Sequence, residues 1–169
     1  MTRMIVRAET EQDLEGIRDV SILAFAHHPF SRQTEHLIVE ALRAAEGLEL
    51  SLVAEIDGVV VGHIAFSPGA IGGTSSGWFV LGPVAVLPDH QGEGIGRALV
   101  EAGLDALRSR GARGCVLVGD PAFYCRFGFR PDPSITWHGV PEENVLCLPL
   151  SGDTPAGEVA CHPAFSAGT

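Results

Sequence analysis

Apolar residues follow two periods along the chain, and these periods separate predicted strands from predicted helices. Short runs that are dense in Val, Ile, Leu and Phe and are bounded by turn-forming residues predict strands. These runs are Met4–Ala8, Leu50–Ile56, Val59–Phe66, Trp78–Val86, Cys115–Val118, Val145–Leu150 and Val159–His162.

Longer segments repeat apolar residues every three or four positions, as one face of a helix does. Before the first such segment, Thr10 is followed three residues later by Asp13, which is a helix-start signal. The predicted helices are Leu14–Ala24, about Gln33–Glu46, about Gly94–Arg110, and one or two turns within Pro121–Arg126.

Turn-forming residues define the connections. Asp57-Gly58 predicts a hairpin between two adjacent strands, and Ser151–Asp153 predicts a terminal hairpin between the last two. The Gly- and Ser-rich segment Ser67–Gly77 predicts a loop. Pro83 interrupts an apolar run, and because proline cannot donate to a ladder it predicts a bulge or an unpaired edge there.

Size and composition favour one ordinary α/β domain spanning residues 1–169, with 46% apolar and 19% charged residues. No apolar stretch approaches membrane-spanning length, and no signal-like segment opens the sequence, so we expect a soluble, cytoplasmic protein. The net charge of −10 argues against binding to nucleic acid or to anionic membranes, since both require a basic face. It leaves two interpretations open, which are solubility and attraction of a cationic substrate.

The cysteines do not form a recognisable framework. None of Cys115, Cys125, Cys147 and Cys161 belongs to a C-x-x-C pair, so we expect no disulfides. Cys161 and His162 are adjacent, but no further ligand types are closely spaced with them. We therefore expect no metal site.

The segment Val84–Leu99 carries the most specific chemical signal. A strand leads through Pro88 into the glycine-rich loop Gly92–Gly96, which opens a long helix. The first N–H groups of a helix have no partner inside it, and glycines allow a phosphate to approach them closely. The segment predicts an anion-binding cradle. It is not the dinucleotide fingerprint G-x-G-x-x-G, whose third glycine would fall at Arg97 or Leu99, nor is a G-x-x-x-x-G-K-[ST] loop present.

Three blocks of this sequence resemble the GNAT N-acetyltransferases. Gln91–Gly96 is similar to their Q/R-x-x-G-x-G/A signature, Leu81–Val86 resembles the strand that the family counts as its fourth, and Gly119–Phe129 resembles the block that follows. The resemblance runs from Met4 to about Phe165. The tail His162–Phe165 is similar to one that the YhbS-like bacterial branch often carries.

This resemblance implies the acyl-CoA N-acyltransferase fold, a mixed and mostly antiparallel sheet flanked by helices and splayed between its fourth and fifth strands. It implies acetyl-CoA as cofactor and direct transfer of the acetyl group to a primary amine. The cofactor-binding positions that it implies are Val84, Ala85, Val86, Gln91, Gly92, Glu93, Gly94, Ile95, Gly96, Arg97, Phe123 and Phe127.

The resemblance also implies two catalytic positions. A main-chain N–H of the bulged strand, at Val84 or a near neighbour, would face the thioester carbonyl, and Tyr124 would protonate the sulfur. Tyr124 also lies among phenylalanines, so packing alone would account for it. The general base is open: Glu55, His63 and a water chain to backbone carbonyls are the alternatives, because Trp78–Val86 contains no ionisable side chain.

The acceptor is not identified by the sequence. The family places its pocket near Phe25–Phe30, including His27 and His28, and near the terminal hairpin. Acetylation of a small-molecule amine, acetylation of a protein or peptide amine, and non-catalytic acyl-CoA binding all remain open, as does a monomer or a homodimer. Candidate carboxylates for collecting a cationic amine are Glu35, Glu142 and Glu143, and candidate cations near the cofactor are Arg97, Arg126 and Arg130.

Overall fold

The computed structural model describes residues 3–74 and 77–168. The strands in these ranges are β1 (Met4–Ala8), β2 (Leu50–Ile56), β3 (Val59–Pro68), β4 (Ala70–Ile71), β5 (Trp78–Val86), β6 (Gly114–Val118), β7 (Arg130–Pro131), β8 (Ile135–Thr136), β9 (Val145–Pro149) and β10 (Gly157–Ala160). The α-helices are α1 (Leu14–Phe25), α2 (Glu35–Ala44), α3 (Ile95–Ser109) and α4 (Pro121–Tyr124).

The main sheet has seven strands in the order β1-β2-β3-β5-β6-β9-β7. Every neighbouring pair in it is antiparallel except β5 and β6, which pair in parallel over Trp78–Val80 and Gly114–Val116 only. Beyond Val80, β5 continues to Val86 without β6 beside it. The prediction of a mixed sheet splayed between these strands is confirmed. β5 and β6 correspond to the fourth and fifth strands of the resemblance, because the two-residue β4 has its own number here.

Helices cover both faces of this sheet, because adjacent strand residues point to opposite sides. Leu52 belongs to the core under α3, with Leu99 and Leu104, whereas its neighbour Val53 packs with Ile17 of α1. None of the helices in the described ranges is long and apolar enough to cross a membrane.

The hairpin and bulge predictions for the first half are confirmed. Asp57 and Gly58 both have positive φ, 51° and 80°, as a tight hairpin turn requires. The register between β3 and β5 shifts between Ile64 and Phe66, which face Val84 and Leu81. Gly82 and Pro83 therefore bulge out of the ladder opposite Ala65.

The predicted terminal hairpin is wrong. β9 pairs with β6 and β7 in the main sheet, whereas β10 pairs with β4 and β8 in a separate three-stranded sheet. The predicted loop Ser67–Gly77 is also partly wrong, since β3 extends to Pro68 and Ile71 is fully buried within β4; residues 75 and 76 lie outside the described ranges. The common reason is burial, because Ile71, Ile135 and Val159 share an apolar cluster with Trp78 that no local signal indicates.

Candidate active site

A cavity of about 900 Å³ occupies the gap between β5 and β6. One half is bounded by the last residues of β5, the glycine-rich loop, the start of α3 and α4, and the other by the α1–α2 connection and the C-terminal segment. The predicted site residues that line it are Val84, Val86, Gln91, Gly92, Gly94, Ile95, Gly96, Arg97, Phe123 and Tyr124.

The free edge of β5 presents backbone groups to this cavity. The N–H of Leu87 donates to the carbonyl of Val61 at 2.9 Å, and hydrogen-bonded pairs alternate along an antiparallel ladder. Ala85 and His63 therefore form the next hydrogen-bonded pair, while Val84 and Val86 direct their N–H and C=O groups away from β3. Consistent with this direction, the Gln91 side-chain amide donates to the Val86 carbonyl at 3.3 Å.

The start of α3 presents unpaired N–H groups to the same cavity. Gly94 has a φ of 85°, and the first helical bond runs from the N–H of Ala98 to the carbonyl of Gly94 at 3.0 Å. The N–H groups of residues 95–97 consequently have no partner among the described residues. A Cβ at Gly62 would lie 2.9 Å from Cγ2 of Ile95, so this glycine allows the helix terminus to sit close to the sheet.

Positive charge lies at this end of the cavity. Arg97 and Arg126 line it, and the Arg126 guanidinium stands 5.0 Å from the centre of the Phe123 ring. Arg130 does not line it, because its guanidinium donates to the carbonyls of Cys125 and Phe129 at 3.0 and 2.7 Å.

Tyr124 lines the cavity from the end of α4. Its ring packs against those of Phe123, Phe127 and Phe129, with centroids 4.9, 6.3 and 5.9 Å away. Burial, with a smaller contribution from Cys115, raises the pKa of Tyr124 to about 12. Its hydroxyl therefore stays protonated at neutral pH, and it makes no hydrogen bond to any described residue.

Glycine makes the space for this ring. A Cβ at Gly119 would lie 2.6 Å from Cε2 of Tyr124, closer than side-chain carbons approach one another. The position of Tyr124 in the cavity thus depends on a residue that carries no side chain.

The other half of the cavity is built from side chains of distant segments. Phe25 comes from the end of α1 and His28 from the turn that follows it. Glu35 and Ile38 belong to the start of α2, and Trp137 and Phe165 to the C-terminal part. Phe25 and His28 belong to the predicted segment Phe25–Phe30, whereas no residue of the predicted terminal hairpin, Val145–His162, lines the cavity. No sequence pattern predicted Ile38, Trp137 or Phe165 as wall residues, and only the tail motif that contains Phe165 offered a signal.

Several candidate residues lie elsewhere. Ala85, Glu93 and Phe127 do not line the cavity. Ala85 faces the buried side of β5, and Phe127 packs against the Phe123 ring. Glu93 pairs with His90 at 3.1 Å. His27, Glu142 and Glu143 are exposed outside it.

The two bases suggested for the neighbouring strands are also absent from the cavity wall. Glu55 pairs with Arg7 at 3.2 Å. His63 is 1% exposed, its Nε2 lies 2.7 Å from the Ser51 hydroxyl, and burial lowers its pKa to about 4. The structure gives neither residue access to a bound substrate.

Cys161 and His162 are not joined by further metal ligands. Within residues 3–74 and 77–168, no group of three or more His, Cys, Asp or Glu side chains is arranged to hold a metal ion. The Nδ1 of His162 instead accepts the N–H of Ala164 at 3.0 Å, which caps the last helical turn.

The fold, the bulged strand and the glycine cradle define an acetyltransferase of the GNAT type, and comparison with known families agrees. The model of the acetyltransferase (GNAT) family matches residues 15–129, and the chain belongs to this family. The resemblance found in the sequence is thereby confirmed.

Individual relatives include a curated protein and two solved structures. The chain is 39% identical over 127 residues to the uncharacterized N-acetyltransferase YhbS of Escherichia coli strain K12, covering 75% of this chain and 73% of that protein. A GNAT family acetyltransferase from Brucella melitensis in complex with acetyl-CoA is 51% identical, with a TM-score of 0.87 over 97% of this chain and 99% of the other. YhbS of Escherichia coli in complex with CoA is 32% identical, with a TM-score of 0.86 over 100% and 95%.

Proposed function

We propose that this protein transfers the acetyl group of acetyl-CoA directly to a primary amine of a small molecule. The observation that carries the proposal is the meeting, in one cavity, of the unpaired N–H groups at the start of α3, the free edge of β5 and the Tyr124 hydroxyl. Membership of the GNAT family and the acetyl-CoA and CoA complexes of the two similar structures support this choice of cofactor.

The residues on the cofactor side fit coenzyme A. Diphosphate suits the cradle formed by residues 92–97, because unpaired helix N–H groups and the macrodipole favour negative charge. The outward-facing backbone groups of Val84 and Val86 suit the amides of a pantetheine arm. When bound, acetyl-CoA supplies the acetyl group as an activated thioester.

The chain contributes two groups to the chemistry. The Val84 N–H points into the gap, where it can donate to the carbonyl oxygen that becomes negatively charged during attack. Tyr124 carries its hydroxyl proton at neutral pH, all the more because burial raises its pKa, and it can pass that proton to the departing sulfur. Phe123 and Phe127 hold the tyrosine ring in place.

The acceptor side favours a small molecule over a protein chain. Side chains from α1, α2 and the C-terminal segment wall it on separate sides, and several of them are aromatic. Ligand sites for small molecules are typically concave, apolar and supplied with a few polar groups. We further propose that the protein is a cytoplasmic monomer or homodimer that acts without nucleic acid or a membrane.

The test is an amine panel scored by thiol release from acetyl-CoA. The 169-residue sequence contains no lysine, so the enzyme offers no ε-amine that would produce a background signal. Amine-dependent thiol release, with the acetylated amine seen by mass spectrometry, is the expected result. Acetyl-CoA binding without turnover of any small amine or peptide would instead identify a binding module, and turnover of peptides alone would identify a protein acetyltransferase.

A further inference from the structure

Glu35 occupies a singular position on the acceptor side of the cavity. It is the only carboxylate among the described residues that line the cavity, and Phe25, Ile38 and Trp137 line the same half. Glu142 and Glu143, the other carboxylates considered from the sequence, are exposed outside the cavity. Among the described residues, Glu35 is therefore the one acidic side chain that can contact a substrate in the cavity.

The carboxylate of Glu35 retains unused hydrogen-bonding capacity. The Ser31 hydroxyl lies 2.7 and 2.8 Å from its two oxygens, and a hydroxyl has a single proton to donate. No Arg or His side chain among the described residues pairs with Glu35. A negative group without a cation, facing an apolar chamber, is suited to receive a cation from a ligand.

His28 lines the same half but presents the opposite hydrogen-bonding character. Its Nδ1 accepts the N–H of Phe30 at 3.2 Å, which leaves the ring proton of the neutral form on Nε2. The neutral His28 ring is then a hydrogen-bond donor through Nε2, whereas Glu35 is an acceptor. Of the two, only Glu35 can take a proton from an ammonium group without first breaking a bond within the protein.

The walls around Glu35 suit an apolar substrate body. Phe25, Trp137 and Phe165 contribute rings from three separate segments, and aromatic faces also attract cationic groups. A short hydrophilic amine would leave these rings in contact with water. An amine with an aromatic or similarly apolar body would cover them.

We propose that Glu35 docks the ammonium group of an amine that carries an aromatic body, and removes one proton from it before transfer. This inference rests on the proposed function and deepens it. The nitrogen lone pair then forms the bond to the acetyl carbon while the carbon–sulfur bond breaks, and Tyr124 protonates the sulfur. Of the two protons that the ammonium loses, Glu35 takes the first and releases it to solvent, and the second restores the proton that Tyr124 gave to the sulfur.

The test compares Glu35→Gln on two acceptors that differ in charge. Phenethylamine is protonated at neutral pH, whereas aniline is neutral and needs no base to expose its lone pair. We expect kcat/KM for phenethylamine to fall about a hundredfold, the usual effect of losing a proton-transfer group, and that for aniline to change less than threefold. The matched control is Glu40→Gln on the same helix, an exposed carboxylate paired with Arg18, which should leave both values unchanged.

A second measurement does not require turnover. Trimethyl(phenethyl)ammonium cannot be acetylated but carries the same charge and ring, so it should compete with the acceptor and bind about tenfold less tightly to Glu35→Gln, a difference of about 1.4 kcal/mol. Equal losses for charged and neutral ligands would reduce Glu35 to a structural role at the start of α2. Unchanged values for both, or a wild-type preference for ethanolamine over phenethylamine, would also overturn the inference. None of these results would affect the proposed function, which fails only if the wild type acetylates no small amine.

Discussion

The two halves of the cavity are formed by different kinds of groups. The cofactor half uses mainly backbone groups of one continuous stretch, from the β5 edge at Val84 to the first turn of α3 at Arg97. The acceptor half uses side chains from segments far apart in the chain, including Phe25, Glu35, Trp137 and Phe165. A backbone site tolerates change in most side chains as long as its path is kept, whereas a side-chain site changes with each substitution. Cofactor recognition is thus expected to be robust and acceptor recognition adjustable.

Blocking the backbone site itself should have the largest effect. In Gly96→Val the new side chain would project between Phe123 and Val86, into the proposed cofactor site. We expect acetyl-CoA to bind about a hundredfold more weakly, or about 2.7 kcal/mol, measured by calorimetry. Gly96→Ala is the matched control, because its Cβ would sit at ordinary contact distances of 3.8 and 3.9 Å from these two side chains. Undiminished affinity in a folded Gly96→Val protein would show that the cofactor lies elsewhere.

Tyr124 is the exception in the cofactor half, since the role proposed for it there belongs to its side chain. Tyr124→Phe keeps the ring and its packing but removes the proton donor. We expect turnover to fall about a hundredfold while the affinity for acetyl-CoA persists. Turnover within twofold of the wild type across the pH range would make Tyr124 a packing residue.

A substitution at Gly119 would displace the Tyr124 hydroxyl without removing it. A methyl group at this position would push the Tyr124 ring from its place, so Gly119→Ala should lower kcat about tenfold, because small misplacements of reacting groups are costly. In a Tyr124→Phe background the same change should add little, since the hydroxyl is already absent. Additive losses in the double variant would mean that Gly119 acts through the fold, which thermal unfolding of each variant would also reveal.

His63 lies in β3, opposite Ala85, and lines neither half of the cavity. We expect His63→Leu to keep turnover within threefold of the wild type and to change how stability depends on pH. Because burial lowers the folded-state pKa to about 4 from an ordinary 6.5, the neutral ring stabilises the fold above pH 6.5, and this contribution is lost as the pH falls towards 4. Urea unfolding at several pH values should therefore show a shallower loss for the variant across that window. A large fall in turnover at neutral pH would restore His63 as a candidate base.

The same contrast explains what could be predicted from the sequence. The Gln91–Gly96 loop was identifiable because glycines, a preceding strand and a following helix are neighbours in the chain. The Asp57-Gly58 turn and the Pro83 bulge were identifiable for the same reason, as each depends on local backbone preferences.

Long-range arrangement was not predictable in this way. Val159 was recognised as a strand residue, but its partner Ile71 lies in a segment whose glycines indicated a loop. Trp137 carries no local signal for the cavity, and Glu35 was a candidate only through the family resemblance, because only the packing of the C-terminal segment against α2 and the sheets brings the two together. His63 was considered as a base because strand alternation alone did not assign its face.

The small sheet of β4, β10 and β8 has a consequence for how such a protein diversifies. It anchors the segment that carries Trp137 and Phe165, and that segment lies beyond residue 129, where the match to the family model ends. Under the proposed function, residues 84–97 bind the donor, whereas the walls of the acceptor chamber come from stretches on either side of them in the chain. Substitutions confined to Trp137, Phe165 and their neighbours would change one wall of the acceptor chamber without altering β5, the glycine-rich loop or α3, so substrate range can drift while the proposed dependence on coenzyme A is inherited unchanged.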